Sequence, residues 1–239
     1  MELVLSPLII LSGVYLPRRT GEPVELLIAI LPSILFPLSF LVLKPLFIIS
    51  MSISTTLLAI LGSIVVLRRG VYRGIAIRSS TTEILIHAVI GSIALYIAFL
   101  LGGLLSIALG MWGHVEALYT SIRETSSGYG SLLPLFLAVI GASEEIFWRG
   151  YIQGYILYRE PLKRPLGGVM LTAIYYTAVH IPTINPPLIA GALVVGLAMG
   201  LIAHRSGILC SALSHIIWLE LVVIYIPVDR ILGFYSIIP

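Results

Sequence analysis

Aspartate is almost missing from this 239-residue chain, with Asp229 the single example, so a hydrolytic site built on two aspartates is impossible. Cysteine is as scarce. A lone Cys210 excludes an internal disulfide and any cysteine-rich metal centre. No His-Glu-x-x-His run exists, which removes the zinc-peptidase helix of that pattern. Charged residues make up 10% of the chain, against roughly 25% in ordinary soluble domains. The formal charge of +3 does not point to nucleic acid, because the basic residues form no stripe.

What is present is apolar. Hydrophobic residues are 59% of the total and the mean hydropathy is +1.08. A water-soluble globule of this length cannot bury so much apolar surface, so lipid is the solvent for much of it. Apolar runs fall near residues 3–16, 24–43, 46–67, 83–111, 131–157, 166–182, 188–203 and 207–227. A bilayer core needs about 20 helical residues, and most runs meet that length. The expected fold is therefore an all-α, polytopic transmembrane bundle of about eight helices, a single domain over residues 1–239, placed in the cell membrane as a multi-pass protein. The run Leu3 to Leu16 has no basic residue before it and reads as retained rather than as a cleaved signal.

Loop charges agree with that count. Eight spans put Arg18, Arg19, Arg68, Arg69, Arg73, Arg78, Arg159, Lys163, Arg164 and Arg205 on one side, and Lys44, Arg123 and Arg230 on the other. The arginine-rich side is the expected cytoplasmic one. Pro32, Pro37 and Pro45 predict kinks in the second span and at the start of the third. The polar stretch Trp112 to Gly130 reads as the longest mobile loop. Gly102, Gly103, Gly191, Gly196 and Gly200 read as close helix packing.

Arg149 is the one basic residue left inside a span, and it has acidic company. Segment 5 reads Gly141-Ala-Ser-Glu-Glu-Ile-Phe-Trp-Arg149-Gly-Tyr. Each charge at mid-bilayer costs about 2.5–3.5 kcal/mol even on the mild insertion scale, so three together point to function. Glu145 and Arg149 are four apart with the glutamate first, the favourable order for mutual neutralisation. Glu144 lies about 100° round the helix, beside Trp148 and Tyr151, with no local partner. A carboxylate in apolar surroundings suits a general base working near neutrality. The competing structural reading is an interhelical ion network.

Two histidines in later apolar runs, His180 and His215, join the argument. Counted along their spans, Glu144 and His215 both fall near mid-membrane. His180 falls near the outer end of segment 6, and reaches them only if Ile181 to Pro187 dips inward, which Pro182, Asn185, Pro186 and Pro187 would allow.

Glu144-Glu145-xxx-Arg149, then Tyr176-xxx-His180, then His215 resemble the three motifs of the CPBP (CAAX protease and bacteriocin-processing) family. Its members are intramembrane glutamate proteases, among them the type II CAAX prenyl endopeptidases. The likeness covers about residues 131–220 and includes Phe147-Trp-Arg-Gly-Tyr-Ile-Gln153 and the turn His204-Arg-Ser-Gly207. It implies that Glu144 and His180 activate a water, that His215 donates to the oxyanion, and that Glu145 and Arg149 form a supporting ion pair. The second motif usually opens with Phe, where this chain has Tyr176. The position of the third-motif asparagine is Leu219, which has no hydrogen to donate. Loss of one oxyanion donor typically lowers the rate on the order of 10²–10³, unless the neighbouring Trp218 indole N–H takes over.

Rival chemistries remain. Gly141-Ala-Ser143 with His180 or His215 faintly resembles a serine nucleophile turn, and Glu144, His180 and His215 form a chemically sensible metal triad. A proton-coupled transporter would use the same glutamates and histidines as a relay, but its paired broken helices in two related halves are absent from the sequence. A scaffold or immunity protein would keep the fold without the activity, and Leu219 speaks for it.

The sequence reading is thus an intramembrane endopeptidase acting on a membrane-associated or lipidated peptide, prenylated (CAAX-type) where the resemblance extends to substrate, with membrane lipid around it. It expects no cofactor, no metal and no nucleic acid. Its catalytic set is Glu144, His180, His215, Glu145 and Arg149, and its substrate contacts are Tyr176, Trp148 and Trp218.

Overall fold

The computed structural model describes residues 23–70, 77–157 and 165–233. Among them every regular element is helical. Six helices are long and apolar enough to cross a membrane: α1 (Pro23–Val42), α2 (Lys44–Arg68), α3 (Thr81–Ala108), α5 (Gly130–Ile156), α7 (Pro186–Ser206) and α8 (Ile208–Tyr225). Three shorter helices, α4 (Trp112–Ser126), α6 (Pro165–Ala178) and α9 (Val228–Leu232), complete the set. The all-α polytopic bundle expected from hydropathy is what the chain forms, and it is a multi-pass membrane protein. The run at residues 3–16 lies outside the described residues. The run at 166–182 becomes the 14-residue α6 and a short 3-10 turn at Ile181–Thr183.

Large apolar side chains such as Ile53, Ile60, Ile90, Leu101 and Ile174 are exposed on the outer faces, as lipid-facing positions should be. Inside, α5 is the central element and packs on α2, α6, α7 and α8, while α8 also packs on α3 and α6 on α7. Buried hydroxyls return their hydrogen to the helix: Ser52 and Thr55 bond the carbonyls of Ile48 and Met51, four residues back, each at 2.8 Å.

The prolines act where expected. α1 runs as two α-helical pieces, Pro23–Ile30 and Pro32–Pro37, then widens into a π-helical turn at Leu38–Val42. Pro45 sits in the 3-10 turn that opens α2. The stretch Trp112 to Gly130 is a correction: most of it is the helix α4. Trp112, Val115 and Tyr119 recur at helical spacing and are buried against the bundle. Its polar outer face concealed that pattern.

Close packing of α6 on α7 depends on Gly196. A Cβ there would lie 2.9 Å from the Ala173 Cα, backbone that has no room to yield. Gly196→Ala should therefore destabilise the fold by about 1–3 kcal/mol, read as a lower midpoint of thermal unfolding in detergent. An unchanged midpoint would show that the α6–α7 interface relaxes freely. Gly102, by contrast, faces open space and lines an apolar cavity of about 390 Å³ between α3, α4 and α7.

Candidate active site

Four segments supply the site, and three of them, α5, α8 and α1, change helical geometry beside it. α5 is α-helical over Leu133–Glu145 and π-helical from Ile146 to Ile156, so the widened turn begins directly after the two glutamates. α8 becomes π-helical at Leu221–Tyr225, just beyond His215 and Trp218. The π turn of α1 presents Phe40, whose ring lies 5.3 Å from that of His180. Such turns are rare and concentrate at functional sites.

The adjacent glutamates have different surroundings. Glu145 is fully buried and both its oxygens face cationic or hydrogen-donating groups. Its Oε1 is 2.9 Å from His215 Nδ1, and its Oε2 is 3.2 Å from Arg149 Nε, an ion-pair contact whose angle falls short of a hydrogen bond. The Arg149 guanidinium, itself 2% exposed, also lies 5.8 Å from the centre of the Tyr176 ring. Glu144 is 4% exposed and accepts from a neutral group: the Tyr176 hydroxyl donates to its Oε2 at 2.7 Å.

Tyr176 also connects Glu144 to His180. Its backbone carbonyl is 2.7 Å from His180 Nδ1, and the two rings are 4.8 Å apart. A carbonyl only accepts, so His180 Nδ1 carries the hydrogen, and neutral His180 presents a lone pair at Nε2. The residues expected to dip inward do not: Ile181 is 56% and Ile184 81% exposed. His180 is instead buried because α6 is short and ends at Ala178, so the ring turns back along the helix while the chain leaves the bundle. Ile184 takes a left-handed φ of 51°, an unfavourable conformation for a β-branched residue. Asn185 then caps α7, accepting from the Leu188 N–H at 3.1 Å.

Trp148 is 1% exposed and packs edge-on against Tyr176 and Phe36. Trp218 is buried beside His215, with ring centres 5.6 Å apart, and among the described residues its indole N–H has no hydrogen-bond partner. Leu219 lies over Gly141, whose added Cβ would be 3.2 Å from a Leu219 methyl. Ser143 pairs with Thr56 Oγ1 at 3.4 Å across the α2–α5 contact, a structural use of the serine weighed above as a nucleophile. Among the described residues no three His, Cys, Asp or Glu side chains are grouped as metal ligands, the proposed Glu144–His180–His215 triad included.

Residues 127–219, from just before α5 to Leu219, match the family model for "Type II CAAX prenyl endopeptidase Rce1-like". Over that stretch the chain is similar to that family. No curated protein and no solved structure matches the chain. The Rce1-like stretch contains every catalytic and substrate-contact residue expected from the sequence, and the fold brings Glu144, Glu145, Arg149, Tyr176, His180, His215 and Trp218 into one buried neighbourhood.

Two features of this neighbourhood were missed by sequence reasoning. Phe36 and Phe40 of α1 enclose the His180 ring at 5.7 and 5.3 Å, although α1 lies outside the Rce1-like stretch. A cavity of about 350 Å³ lies against Phe40, lined also by Lys44, His114, Thr183 and Asn185. Only the proline-broken pattern of α1 hinted at a special role. The second feature is the Tyr176 hydroxyl on Glu144. Tyr176→Phe would leave a buried acceptor short of a donor and should lower stability by about 1–3 kcal/mol. Thermal unfolding of the variant tests this, and an unchanged midpoint would mean that the bond contributes nothing net.

Proposed function

We propose that the protein is an intramembrane endopeptidase in which Glu144 and His180 activate a water to attack a peptide carbonyl directly. The observation that carries this reading is the asymmetry of the two glutamates. Glu145 is held between Arg149 and His215, whereas Glu144 meets a single neutral hydroxyl and is the carboxylate with capacity to take a proton. His180, with its hydrogen committed to the Tyr176 carbonyl and its ring 4.8 Å from the Tyr176 ring, adds a second acceptor linked to Glu144 through Tyr176. The oxyanion develops beside His215, where the unpaired Trp218 N–H stands in for the donor that Leu219 lacks.

The substrate is a membrane-associated peptide, lipidated and of the CAAX type where prenylated, because such a chain is already partitioned into the bilayer that surrounds the site. Surrounding lipid is the other partner. This reading assigns no step to a metal or cofactor. A second reading rests on one observation: Leu219 packs over Gly141 without a donor, which suits a scaffold or immunity protein that keeps the fold with little activity.

The test is cleavage of a panel of prenylated, acylated and transmembrane peptides by the purified protein in lipid, with and without chelator. Cleavage that persists in chelator supports the glutamate mechanism. Chelator-sensitive cleavage replaces it with a metal site, and a folded protein inert toward the whole panel favours the scaffold.

A further inference from the structure

The two histidines of the site are prepared for opposite tasks. Each has Nδ1 committed, but to different partners. His180 Nδ1 donates to a neutral carbonyl. His215 Nδ1 is 2.9 Å from a carboxylate oxygen of Glu145, and Arg149 approaches the other oxygen at 3.2 Å. An ionised carboxylate only accepts, so His215 Nδ1 carries the hydrogen. Neutral His215 would then have a lone pair at Nε2 and nothing to donate toward an oxyanion or a leaving group. With a second proton on Nε2 it becomes a donor, and Glu145 compensates the ring's positive charge in the manner of a buried carboxylate–histidine dyad. Glu144, Glu145, Arg149 and His215 lie in one pocket where each is 4% exposed or less. With Arg149 charged, neutrality needs one proton shared between the two glutamates and His215, so a proton can pass between Glu144 and His215 without leaving a net charge in apolar surroundings.

Resting on the water-activation reading above, we propose that His215, oriented by Glu145, is the general acid that protonates the leaving nitrogen. The step balances. Glu144 takes one proton from water as the hydroxide oxygen bonds to the carbonyl carbon. The tetrahedral centre collapses, the C–N bond breaks, and the nitrogen takes the Nε2 proton of His215. Glu144 then returns its proton to His215, leaving a carboxylic acid and a free amine. Glu145 is a positioning residue here, and Arg149 acts through Glu145.

The test compares two matched probes in lipid nanodiscs: a palmitoylated peptide that the protein cleaves, and its analogue with the scissile amide replaced by a thioester. Thiolate leaves without a proton, while both probes form the same oxyanion. His215→Ala should lower the kcat for the amide about 10²–10⁴-fold, lower thioester cleavage by a factor at least ten times smaller, and regain amide cleavage with added imidazole. Glu145→Gln should show the same selective loss in kcat with KM little changed. Should it fail to fold, His215→Ala alone decides, since retained thioester cleavage reports an intact site. Equal losses on the two probes, or no rescue by imidazole, would overturn the proposal. Glu144→Gln separates the underlying reading: it should lose both probes, and if it keeps both, water activation by Glu144 is wrong whatever His215 does.

Discussion

Glu144→Gln should abolish peptide cleavage while leaving the protein folded. The expected fall in kcat is on the order of 10⁴, the upper end of what a positioned general base contributes. Glutamine keeps the shape of the side chain and can accept the Tyr176 hydroxyl through its carbonyl oxygen, so the 2.7 Å contact survives. What it loses is the ability to take a proton from water. Because a buried carboxylate with one neutral donor is replaced by a neutral amide, the unfolding midpoint should stay level or rise. A dead variant with a raised midpoint is the signature of a group held for chemistry at the expense of stability. His180→Ala should fall less, about 10²–10³, since Glu144 remains. Cleavage by Glu144→Gln within tenfold of the parent protein would refute the assignment.

Arg149→Met should be the most destabilising single change in the site, by about 3–5 kcal/mol, because it strands the Glu145 carboxylate in the interior. The guanidinium and the carboxylate are each no more than 2% exposed, so solvent cannot take over. Their contact at 3.2 Å is not an ideal hydrogen bond, and among the described residues the guanidinium nitrogens have no hydrogen-bond partner. The pair is therefore held by charge compensation rather than by directional bonding. The double variant Arg149→Met with Glu145→Gln should recover most of the lost stability, since neither charge is left alone. Thermal unfolding of both single variants and the double in detergent closes the cycle. Additive losses would show that the two side chains act independently, and the ion-pair account would fail.

Much of this was legible in the letters. Lipid forces backbone polarity to be satisfied within each span, so hydropathy and length determined the all-α polytopic bundle. The helical repeat determined that Glu145 and Arg149 share a face, because four residues on one helix return to nearly the same angle. The energetic penalty of mid-membrane charge marked segment 5 as functional before any neighbour was known. Each of these properties is local to one helix or set by the solvent around it.

What lies between helices was not legible. That the Tyr176 hydroxyl holds Glu144, that Glu145 also meets His215, and that Phe36 and Phe40 enclose His180 are contacts between segments distant in sequence. Helix rotation and crossing set them, and these depend on how ridges and small residues such as Gly196 interlock. The same cause defeated the depth count for His180, which assumed a full-length sixth span where packing produces the short α6. The chain alone determined the solvent, the spans and the chemical groups available. Only the tertiary structure decided which carboxylate meets charged partners and which meets a neutral hydroxyl, because that choice is made by partners that a one-dimensional repeat does not contain.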